Sequence, residues 1–344
     1  MNVLIVGYGY MGQIRRQVVA ATPELTCAGI CDAAVTDAAA LGCPTFTDYR
    51  RAIDEVRPDI VCVCTPNALS PDVSVYALER GAHVFCEKPP GRSVADVERI
   101  MAAERRHPGL KVMFGFNHRH HPAVVEAKAI VDGGRMGRIL WMRGVYGKSG
   151  GPGRGFEASW RNDPSVSGGG ILLDQGIHML DLFCFFCGDF DEVQALLSTS
   201  YWKVPVEDNA LLSLRSTGGA IAQLHSSATL WKHSFRLEIG LELGYLNITG
   251  LLSKTGSYGR ETLTIGRKPA DDETTAVGNP REEVVYFDKD QSWDLQVREL
   301  VACIREGRPV SDSSTDDALR VMTLIERVYA AGRTSARGLA MERS

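Results

Sequence analysis

The sequence predicts an α/β protein with two domains: a doubly wound parallel sheet, then a second α/β domain with a large, mostly antiparallel sheet. The 344 residues exceed what one compact core usually holds. In the first third of the chain, short apolar strands alternate with helical patterns, as in a parallel sheet covered on both faces. Later strands follow one another without intervening helices. We therefore expect domains at 1–120 and 121–344.

The first domain alternates strands and helices in a regular order. Its predicted strands are Val3–Val6, Thr26–Cys31, Ile60–Cys64, Val84–Cys86 and Val112–Phe116. Its predicted helices are Met11–Ala21, Asp48–Val56, Pro71–Arg80 and a last one from Ser93 to Arg106. Prolines follow the first two helices, and a capping-box pattern opens the last. Right-handed crossovers between the strands make this sheet doubly wound.

The second domain begins with a helix, a strand and a glycine-rich stretch over 147–170. A helix from Leu172 to Cys187 comes next. The predicted strands are Ile139–Tyr146, Val193–Thr199, Ala210–Leu214, Ala220–Ala228, Phe235–Leu241, Leu246–Ile248, Thr262–Ile265 and Val284–Phe287. The other predicted helices are Ala123–Val131, Ser292–Arg305 and Thr315–Ala331. The polar stretch 267–282 is predicted to be a surface loop.

The composition excludes several classes of partner. Lys and Arg number 38 against 42 Asp and Glu, so the net charge is −4, which argues against nucleic-acid binding and attraction to anionic membranes. We find no apolar run of membrane-spanning length and no signal-peptide pattern at the N-terminus. The nine cysteines are an odd number, and most lie in apolar runs. We therefore expect a cytoplasmic protein.

A glycine-rich run lies between the first strand and the first helix. It reads Gly7-Tyr8-Gly9-Tyr10-Met11-Gly12, which fits G-x-G-x-x-G, and Asp32 ends the second strand. This context predicts a dinucleotide site, with the pyrophosphate at the helix N-terminus and Asp32 on the ribose hydroxyls. The alternative is a glycine turn without a ligand. Asp32 would repel a 2′-phosphate, so NAD is favoured over NADP unless Arg15 or Arg16 lies nearby.

Polar residues follow three strands where a parallel sheet places its ligand crevice. They are Thr65-Pro66-Asn67, Glu87-Lys88-Pro89 and the run from Asn117 to Pro122. Lys88 is predicted to point into the crevice, and a surface ion pair with Glu87 is the alternative. The histidines in the run at 118–121 have no suitably spaced partners for a metal. We expect no metal there, nor at the C-x-x-C pair Cys184 and Cys187.

Asp174 and His178 are four residues apart on a predicted helix and therefore share one face, with Asp181 a turn further on. A carboxylate beside a histidine can orient the imidazole and raise its basicity. The alternative is a capping or packing pair.

Together these motifs resemble the Gfo/Idh/MocA oxidoreductase family, named for glucose–fructose oxidoreductase and inositol dehydrogenase. The resemblance covers nearly the whole chain. The motifs that support it are the N-terminal G-x-G-x-x-G, Thr65-Pro66-Asn67, Glu87-Lys88-Pro89, Trp160-Arg161-x-Asp163-Pro164 and Gly168-Gly169-Gly170-x-x-x-Asp174-x-Gly176-x-His178-x-x-Asp181. It implies a Rossmann domain, a second domain whose open sheet forms a homodimer or homotetramer, and hydride transfer between NAD(H) and a carbinol carbon of a sugar, polyol or nucleotide sugar.

The resemblance also implies roles for individual residues. Lys88 and His178 are the implied catalytic pair, supported by Asp174. The implied cofactor contacts are Gly7, Tyr8, Gly9, Tyr10, Met11, Gly12, Asp32, Thr65, Pro66, Asn67, Glu87, Lys88 and Asn117. The expected substrate contacts are Lys88, Tyr146, Lys148, Arg161, Asp174 and His178. Two alternatives stay open: an NAD-dependent glycosidase that oxidises its substrate transiently, and a ligand-sensing regulator on the same fold.

The chain departs from the family pattern in two places. Ser70 stands where a histidine is frequent, and Pro90-Gly91 follows Glu-Lys-Pro where the family usually has Leu or Ile and a small residue. In the loop 147–160, Lys148 and Arg154 could bind a phosphate or carboxylate of the substrate. A solvated surface loop is the alternative.

Overall fold

The computed structural model describes residues 1–34, 41–150, 156–269 and 278–341, with side chains up to residue 333. The chain divides into two compact units. The first comprises Met1–Asn117, Asp163–Gly168 and Trp293–Met322. The second comprises His118–Asn162, Gly169–Ser292 and Thr323–Ser344. This grouping differs from a single boundary after residue 120, because two later segments belong to the first unit.

The first unit is built on a six-stranded parallel sheet. Its strands are β1 (Asn2–Val6), β2 (Thr26–Cys31), β3 (Thr45–Phe46), β4 (Ile60–Val63), β5 (His83–Cys86) and β6 (Val112–Phe114). Their order is β3-β2-β1-β4-β5-β6, and each neighbouring pair is parallel. This is the predicted doubly wound order, in which the chain leaves the middle of the sheet in both directions.

Helices cover this sheet. They are α1 (Tyr10–Ala21), α2 (Tyr49–Val56), α3 (Ser70–Glu79) and α4 (Val94–Arg106). The side chains of Asp48 and Ser93 cap α2 and α4 by accepting backbone N–H groups. The helix α8 (Ser292–Glu306) contributes Val297, Leu300 and Val301 to the same buried cluster as β1 and α1. This packing explains why a segment so late in the chain belongs to the first unit.

The second unit is built on an eight-stranded sheet. Its strands are β7 (Ile139–Gly147), β8 (Phe190–Ser198), β9 (Asn209–Ser216), β10 (Ile221–Ser227), β11 (Ser234–Leu241), β12 (Gly244–Thr249), β13 (Glu261–Arg267) and β14 (Glu282–Phe287). Their order is β14-β13-β12-β11-β7-β10-β9-β8. β7 and β10 are parallel, and the other neighbours are antiparallel. The predicted, largely antiparallel sheet is confirmed.

The remaining helices complete the two units. They are α5 (Pro122–Asp132), α6 (Pro164–Ser167), α7 (Ile177–Cys187) and α9 (Thr315–Met341), which runs from the first unit into the second. Pro164–Cys187 is apolar and long enough to cross a membrane, but 83% of its apolar window is buried inside the protein, as in a core helix. The predicted loop over 267–282 falls partly on residues 270–277, which lie outside the described residues.

Candidate active site

The glycine-rich run between β1 and α1 fits a dinucleotide. A Cβ built on Gly7, whose φ is +92°, would lie 2.4 Å from the carbonyl oxygen of Cys64. One on Gly12 would lie 2.0 Å from the Gly7 oxygen, whereas one on Gly9 has no described heavy atom within 4 Å. The loop is therefore tight at both ends and open in the middle. None of the described side chains caps α1 at Gly9, so the helix N-terminus suits a pyrophosphate.

Asp32 anchors this loop. Its Oδ2 accepts the backbone N–H of Tyr8 at 2.5 Å, and its Oδ1 accepts that of Ala34 at 2.8 Å. These contacts hold the carboxylate beside the glycine run, where a ribose hydroxyl could share it. Arg16 donates to the Tyr8 hydroxyl at 2.9 Å, so it lies near this loop. Arg15, the other cation considered from the sequence, is fully buried and bound elsewhere.

The Glu87 carboxylate is part of a buried network. Arg15 Nε donates to Glu87 Oε1 at 2.6 Å, and Arg15 Nη2 donates to Gln296 Oε1 at 2.9 Å. The guanidinium also lies 4.1 Å from the centre of the Phe85 ring. Glu87 is thus a buried partner of Arg15 rather than a surface residue. Sequence analysis missed this network because Glu87 and Gln296 are 72 and 281 positions away from Arg15.

The other predicted site residues, Thr65, Asn67 and Asn117, follow the ends of β4 and β6. The Thr65 hydroxyl contacts that of Ser70 at 3.0 Å, so the serine found in place of histidine supports the end of β4. Asn67 is buried, and its Nδ2 donates to the Ser167 carbonyl at 2.7 Å, which ties this strand end to α6. Asn117 is buried after β6. Pro66 directly follows Thr65, and Tyr10 and Met11 form the first turn of α1.

Glu87 and then Lys88 follow β5, which ends at Cys86, and the Lys88–Pro89 bond is cis. Its side chain is partly buried. Gly115, at the end of the neighbouring β6, packs so closely that a Cβ there would lie 2.5 Å from Glu87 Oε2. The lysine therefore follows a residue that is fixed on two sides, by Arg15 and by Gly115.

In the second unit, the triple glycine packs against a carboxylate of the protein itself. The Glu207 side chain accepts the backbone N–H groups of Gly170 and Leu172 at 3.0 Å and the Tyr329 hydroxyl at 3.0 Å. A Cβ on Gly170 would lie 2.1 Å from the Glu207 carbonyl oxygen, and one on Gly169 would lie 2.1 Å from the Tyr329 hydroxyl. Burial raises the pKa of Glu207 above its ordinary value. Sequence analysis did not identify Glu207 or Tyr329.

Asp174 lies on a π-helical turn, Leu172–Gly176, that precedes α7. This turn replaces the first part of the predicted regular helix, and such turns are frequent at functional sites. Asp174 Oδ2 accepts a hydrogen bond from Lys148 Nζ at 3.1 Å, and Asp174 Oδ1 lies 3.6 Å from Arg161 Nε. These residues line a small cavity. Arg154, the second cation predicted for this loop, lies outside the described residues.

His178 lies on α7 against a second histidine. The rings of His118 and His178 are stacked, with centroids 3.8 Å apart and planes inclined by 25°. Tyr146, predicted to contact substrate, is buried on β7, and its ring centroid lies 5.2 Å from that of His118. Burial raises the pKa of Tyr146 well above its ordinary value. The stacking partner was missed because His118 is 60 positions earlier in the sequence (178 − 118 = 60).

Asp181 and the histidine run form buried structural pairs. Arg119 donates two hydrogen bonds to the Asp181 carboxylate, at 2.6 and 2.9 Å. His121 Nδ1 lies 2.7 Å from Glu261 Oε2. Helical spacing predicted Asp181 on the same face as Asp174, but the structure shows its carboxylate bound by Arg119. In the part of the chain that the structure describes, no group of three or more His, Cys, Asp or Glu is arranged to hold a metal ion.

Two family models match the chain. Residues 1–116 match the oxidoreductase family model with an NAD-binding Rossmann fold, and residues 124–247 match the GFO/IDH/MocA C-terminal domain. The matches coincide with the parallel sheet and with much of the antiparallel sheet. They include the glycine-rich run, Lys88, Asp174 and His178.

Curated relatives and solved structures point to the same family. The levoglucosan dehydrogenase of Pseudarthrobacter phenanthrenivorans is 30% identical over 64% of this chain and 59% of its own length. The D-glucoside 3-dehydrogenase of Escherichia coli is 25% identical over 98% of this chain and 97% of its own. A solved levoglucosan dehydrogenase, in complex with NADH and levoglucosan, has a TM-score of 0.85 over 97% of both chains at 24% identity. The chain therefore belongs to the Gfo/Idh/MocA family of oxidoreductases, and its first unit is an NAD-binding Rossmann domain.

Proposed function

We propose that this protein is an NAD(H)-dependent dehydrogenase or reductase that acts on a carbinol carbon of a sugar or polyol. The observation that carries the proposal is a side-chain cluster of the second unit, in which Asp174, Lys148 and Arg161 present ionic hydrogen-bonding groups. Such groups suit a ligand covered with hydroxyls. The activities named for the two dehydrogenase relatives, on levoglucosan and on D-glucosides, support the same substrate class.

The glycine-rich run would hold the cofactor pyrophosphate, and Asp32 the adenosine ribose. Thr65, Asn67 and Asn117 would border the nicotinamide. Glu87, through its ion pair with Arg15, would hold in place the end of β5 that precedes Lys88. NAD, when bound, supplies the hydride acceptor or donor. The chain supplies the binding, the orientation and the proton chemistry.

We assign the proton transfer to His178. In the oxidation direction, an imidazole nitrogen of His178 takes the hydroxyl proton of the substrate. The Lys88 ammonium donates a hydrogen bond to the same oxygen and stabilises its developing charge. These residues belong to different units, and their assignment to one reacting oxygen comes from the family motifs. The stacked ring of His118 restricts rotation of His178.

Asp174 is assigned to substrate binding as well as to the support of His178. Its carboxylate pairs with both cations beside it, and the carboxyl groups of Glu207 and Asp208 line the same cavity. A phosphate would have to compete with Asp174 for Lys148. This arrangement favours neutral sugars and polyols over nucleotide sugars as the first substrates to test.

The test is a substrate screen followed by single-turnover kinetics. NADH formation is followed by absorbance with levoglucosan, methyl glucosides, glucose and myo-inositol. Lys88→Ala and His178→Ala should each lose about 10²–10⁴-fold in the hydride-transfer rate while keeping NADH affinity. Lys128→Ala is the control, because Lys128 pairs with Asp132 on the surface of α5. Activity should survive dialysis against a strong chelator.

Three outcomes would contradict this assignment. Near wild-type turnover of His178→Ala would remove His178 as the base. Release of a free sugar without accumulation of NADH would favour the NAD-dependent glycosidase. Loss of activity after chelation that zinc restores would indicate a metal site.

The open face of the eight-stranded sheet is the proposed subunit interface of a homodimer or homotetramer. Trp141, Leu211 and Ile221 are 39%, 45% and 52% exposed on this face, which also carries Arg143 and Arg215. Contiguous exposed apolar side chains rimmed by charges are typical of interfaces. Ile221→Glu should convert the assembly to monomers in light scattering. A monomeric wild-type protein would contradict the proposal.

A cytoplasmic location stays part of the proposal. None of the nine cysteines forms a disulfide bond. This is the usual state in a reducing compartment. Fractionation of the native host would test it.

A further inference from the structure

Three aromatic residues form an exposed cluster on two loops of the second unit. Tyr201 and Trp231 are 62% and 60% exposed, and their ring centroids are 4.9 Å apart with planes inclined by 75°. Trp202 lies behind them, 5.1 Å from Tyr201. We call these three residues the aromatic shelf. Large aromatic rings are costly to leave in water, so adjacent exposed rings indicate a binding surface.

Asp208 holds the loop that carries Tyr201 and Trp202. This buried carboxylate accepts the backbone N–H groups of Ser200, Tyr201 and Trp202, at 2.8, 2.8 and 2.9 Å. Burial acts to raise the pKa of Asp208, but these hydrogen bonds bring it below its ordinary value. The loop thus carries a fixed backbone. A ligand on Tyr201 and Trp202 would lose little affinity to ordering of this loop.

The shelf is continuous with the small cavity beside Asp174. The Trp202 indole N–H donates to the Ala228 carbonyl at 2.9 Å, and the Phe156 ring packs against Trp202 with centroids 4.7 Å apart. Phe156, Ala228 and Asp208 also line the cavity that contains Lys148 and Asp174. A ligand that contacts Lys148 and Asp174 and extends past Phe156 would therefore reach the aromatic rings.

We propose that the aromatic shelf is a second sugar subsite, which binds the pyranose ring joined by a glycosidic bond to the ring being oxidised. This inference rests on the proposed sugar specificity of the cavity and extends it to glycosides with a sugar aglycone. A pyranose presents a face of C–H groups that packs on the electron-rich face of Trp231 or Tyr201. Its hydroxyls at the ring edge stay hydrated or reach the exposed ammonium groups of Lys203 and Lys232.

The experiment measures binding, so it does not depend on turnover. Glucose, methyl β-D-glucoside, cellobiose and maltose are titrated by calorimetry into the protein saturated with NADH. We expect at least one disaccharide to bind about tenfold more tightly than glucose, since burying a tryptophan anchor is commonly worth that much. Trp231→Ala should abolish this difference while leaving glucose and methyl glucoside unchanged. Trp231→Phe should restore part of it.

Tyr286→Ala is the matched control, because Tyr286 is 56% exposed on β14, away from these loops. The subsite is refuted if neither disaccharide binds more tightly than glucose, or if Trp231→Ala leaves the ratio unchanged. An altered oligomeric state of Trp231→Ala with an unchanged ratio also refutes it and assigns the shelf to a second copy. Failure of the proposed function is a separate result: disaccharide binding that depends on Trp231, without NADH formation from any sugar in the screen.

Discussion

Two glycine clusters of this chain each precede a helical segment, and they differ in what occupies the space before the backbone N–H groups. The cluster at Gly7–Gly12 is open at Gly9, and none of the described side chains caps its helix. The cluster at 168–170 is filled by the Glu207 carboxylate, which accepts two backbone N–H groups. The first cluster thus leaves room for the proposed cofactor phosphates, whereas the second is occupied by an anion of the protein itself. Glycine spacing predicts a close approach, but not what approaches.

The largest expected effect comes from adding one methyl group to each cluster. Gly170→Ala places a Cβ 2.1 Å from a backbone oxygen, so we expect a loss of about 3 kcal/mol or more in the free energy of unfolding. Gly9→Ala meets no described atom within 4 Å and should unfold like the wild type. It should instead weaken NADH binding. Urea unfolding without cofactor and NADH titration measure the two effects.

The comparison fails if the two variants behave alike. Equal destabilisation would mean that the first loop is also filled by the protein, and unchanged NADH affinity of Gly9→Ala would remove the pyrophosphate from that position.

Removal of the internal anion should have the next largest effect. Glu207→Ala leaves the N–H groups of Gly170 and Leu172 and the hydroxyl of Tyr329 without their acceptor. We expect a loss of about 2–4 kcal/mol in the free energy of unfolding, and a smaller loss for Glu207→Gln, which keeps one oxygen acceptor. Urea unfolding is the measurement. A stability of Glu207→Ala equal to that of the wild type would show that Glu207 is not needed to close this cluster.

The next prediction concerns Asp32, which contacts the first glycine cluster at Tyr8. Asp32→Ala removes the acceptor of the Tyr8 N–H and the proposed ribose contact, and it also removes a charge that repels a 2′-phosphate. NADH binding should weaken by about 1.5–3 kcal/mol, and the ratio of NADPH to NADH affinity should rise. Fluorescence titration with both cofactors checks this. If wild-type protein binds NADPH more tightly than NADH, the assignment of Asp32 is wrong.

The smallest expected effect is on how stability depends on pH. Glu207 and Asp208, which are adjacent in the sequence, should change the free energy of unfolding with pH in opposite directions. The raised pKa of Glu207 means that the folded state favours its protonated form, so the free energy of unfolding falls as pH rises above about 4.3. The lowered pKa of Asp208 adds stability that is present above about 3.9 and is lost as pH falls further. Urea midpoints across pH should flatten above pH ~4.3 in Glu207→Gln and below pH ~3.9 in Asp208→Asn. Flattening in one shared window would contradict these directions.

The Rossmann unit could be predicted closely because its signals are local. The continuous apolar run Thr26–Cys31 forms β2 with the predicted bounds, and the glycine-rich run follows β1 as expected. The contacts that complete this unit are not local. Arg15 and Glu87 pair across 72 positions, and nothing in the sequence around either residue indicates the other.

The second unit was predicted less completely for the same reason. Helical spacing predicted that Asp174 and His178 share one helix face, but Asp174 lies on a π-helical turn before α7, and Asp181 is bound by Arg119. The π-helical turn at Leu172–Gly176 begins with an N–H group bound by Glu207, which comes from a distant loop. Periodicity in the sequence predicts which face of a helix a residue occupies. Contacts with residues distant in the sequence determine the role of that residue.

The position of β7 in the sheet has a consequence for synthesis of the chain. β7 is an inner strand, yet its two neighbours, β10 and β11, are made after β8 and β9. During translation, one edge of β7 therefore waits for β10 across 80 positions (Trp141 pairs with Ile221, 221 − 141 = 80). The other edge waits longer for β11 (Gly147 pairs with Ser234, 234 − 147 = 87). Unpaired apolar edges of this kind are where nascent chains associate wrongly. Chains that end before β10 should accumulate as aggregates, whereas full-length chains can close the sheet around β7.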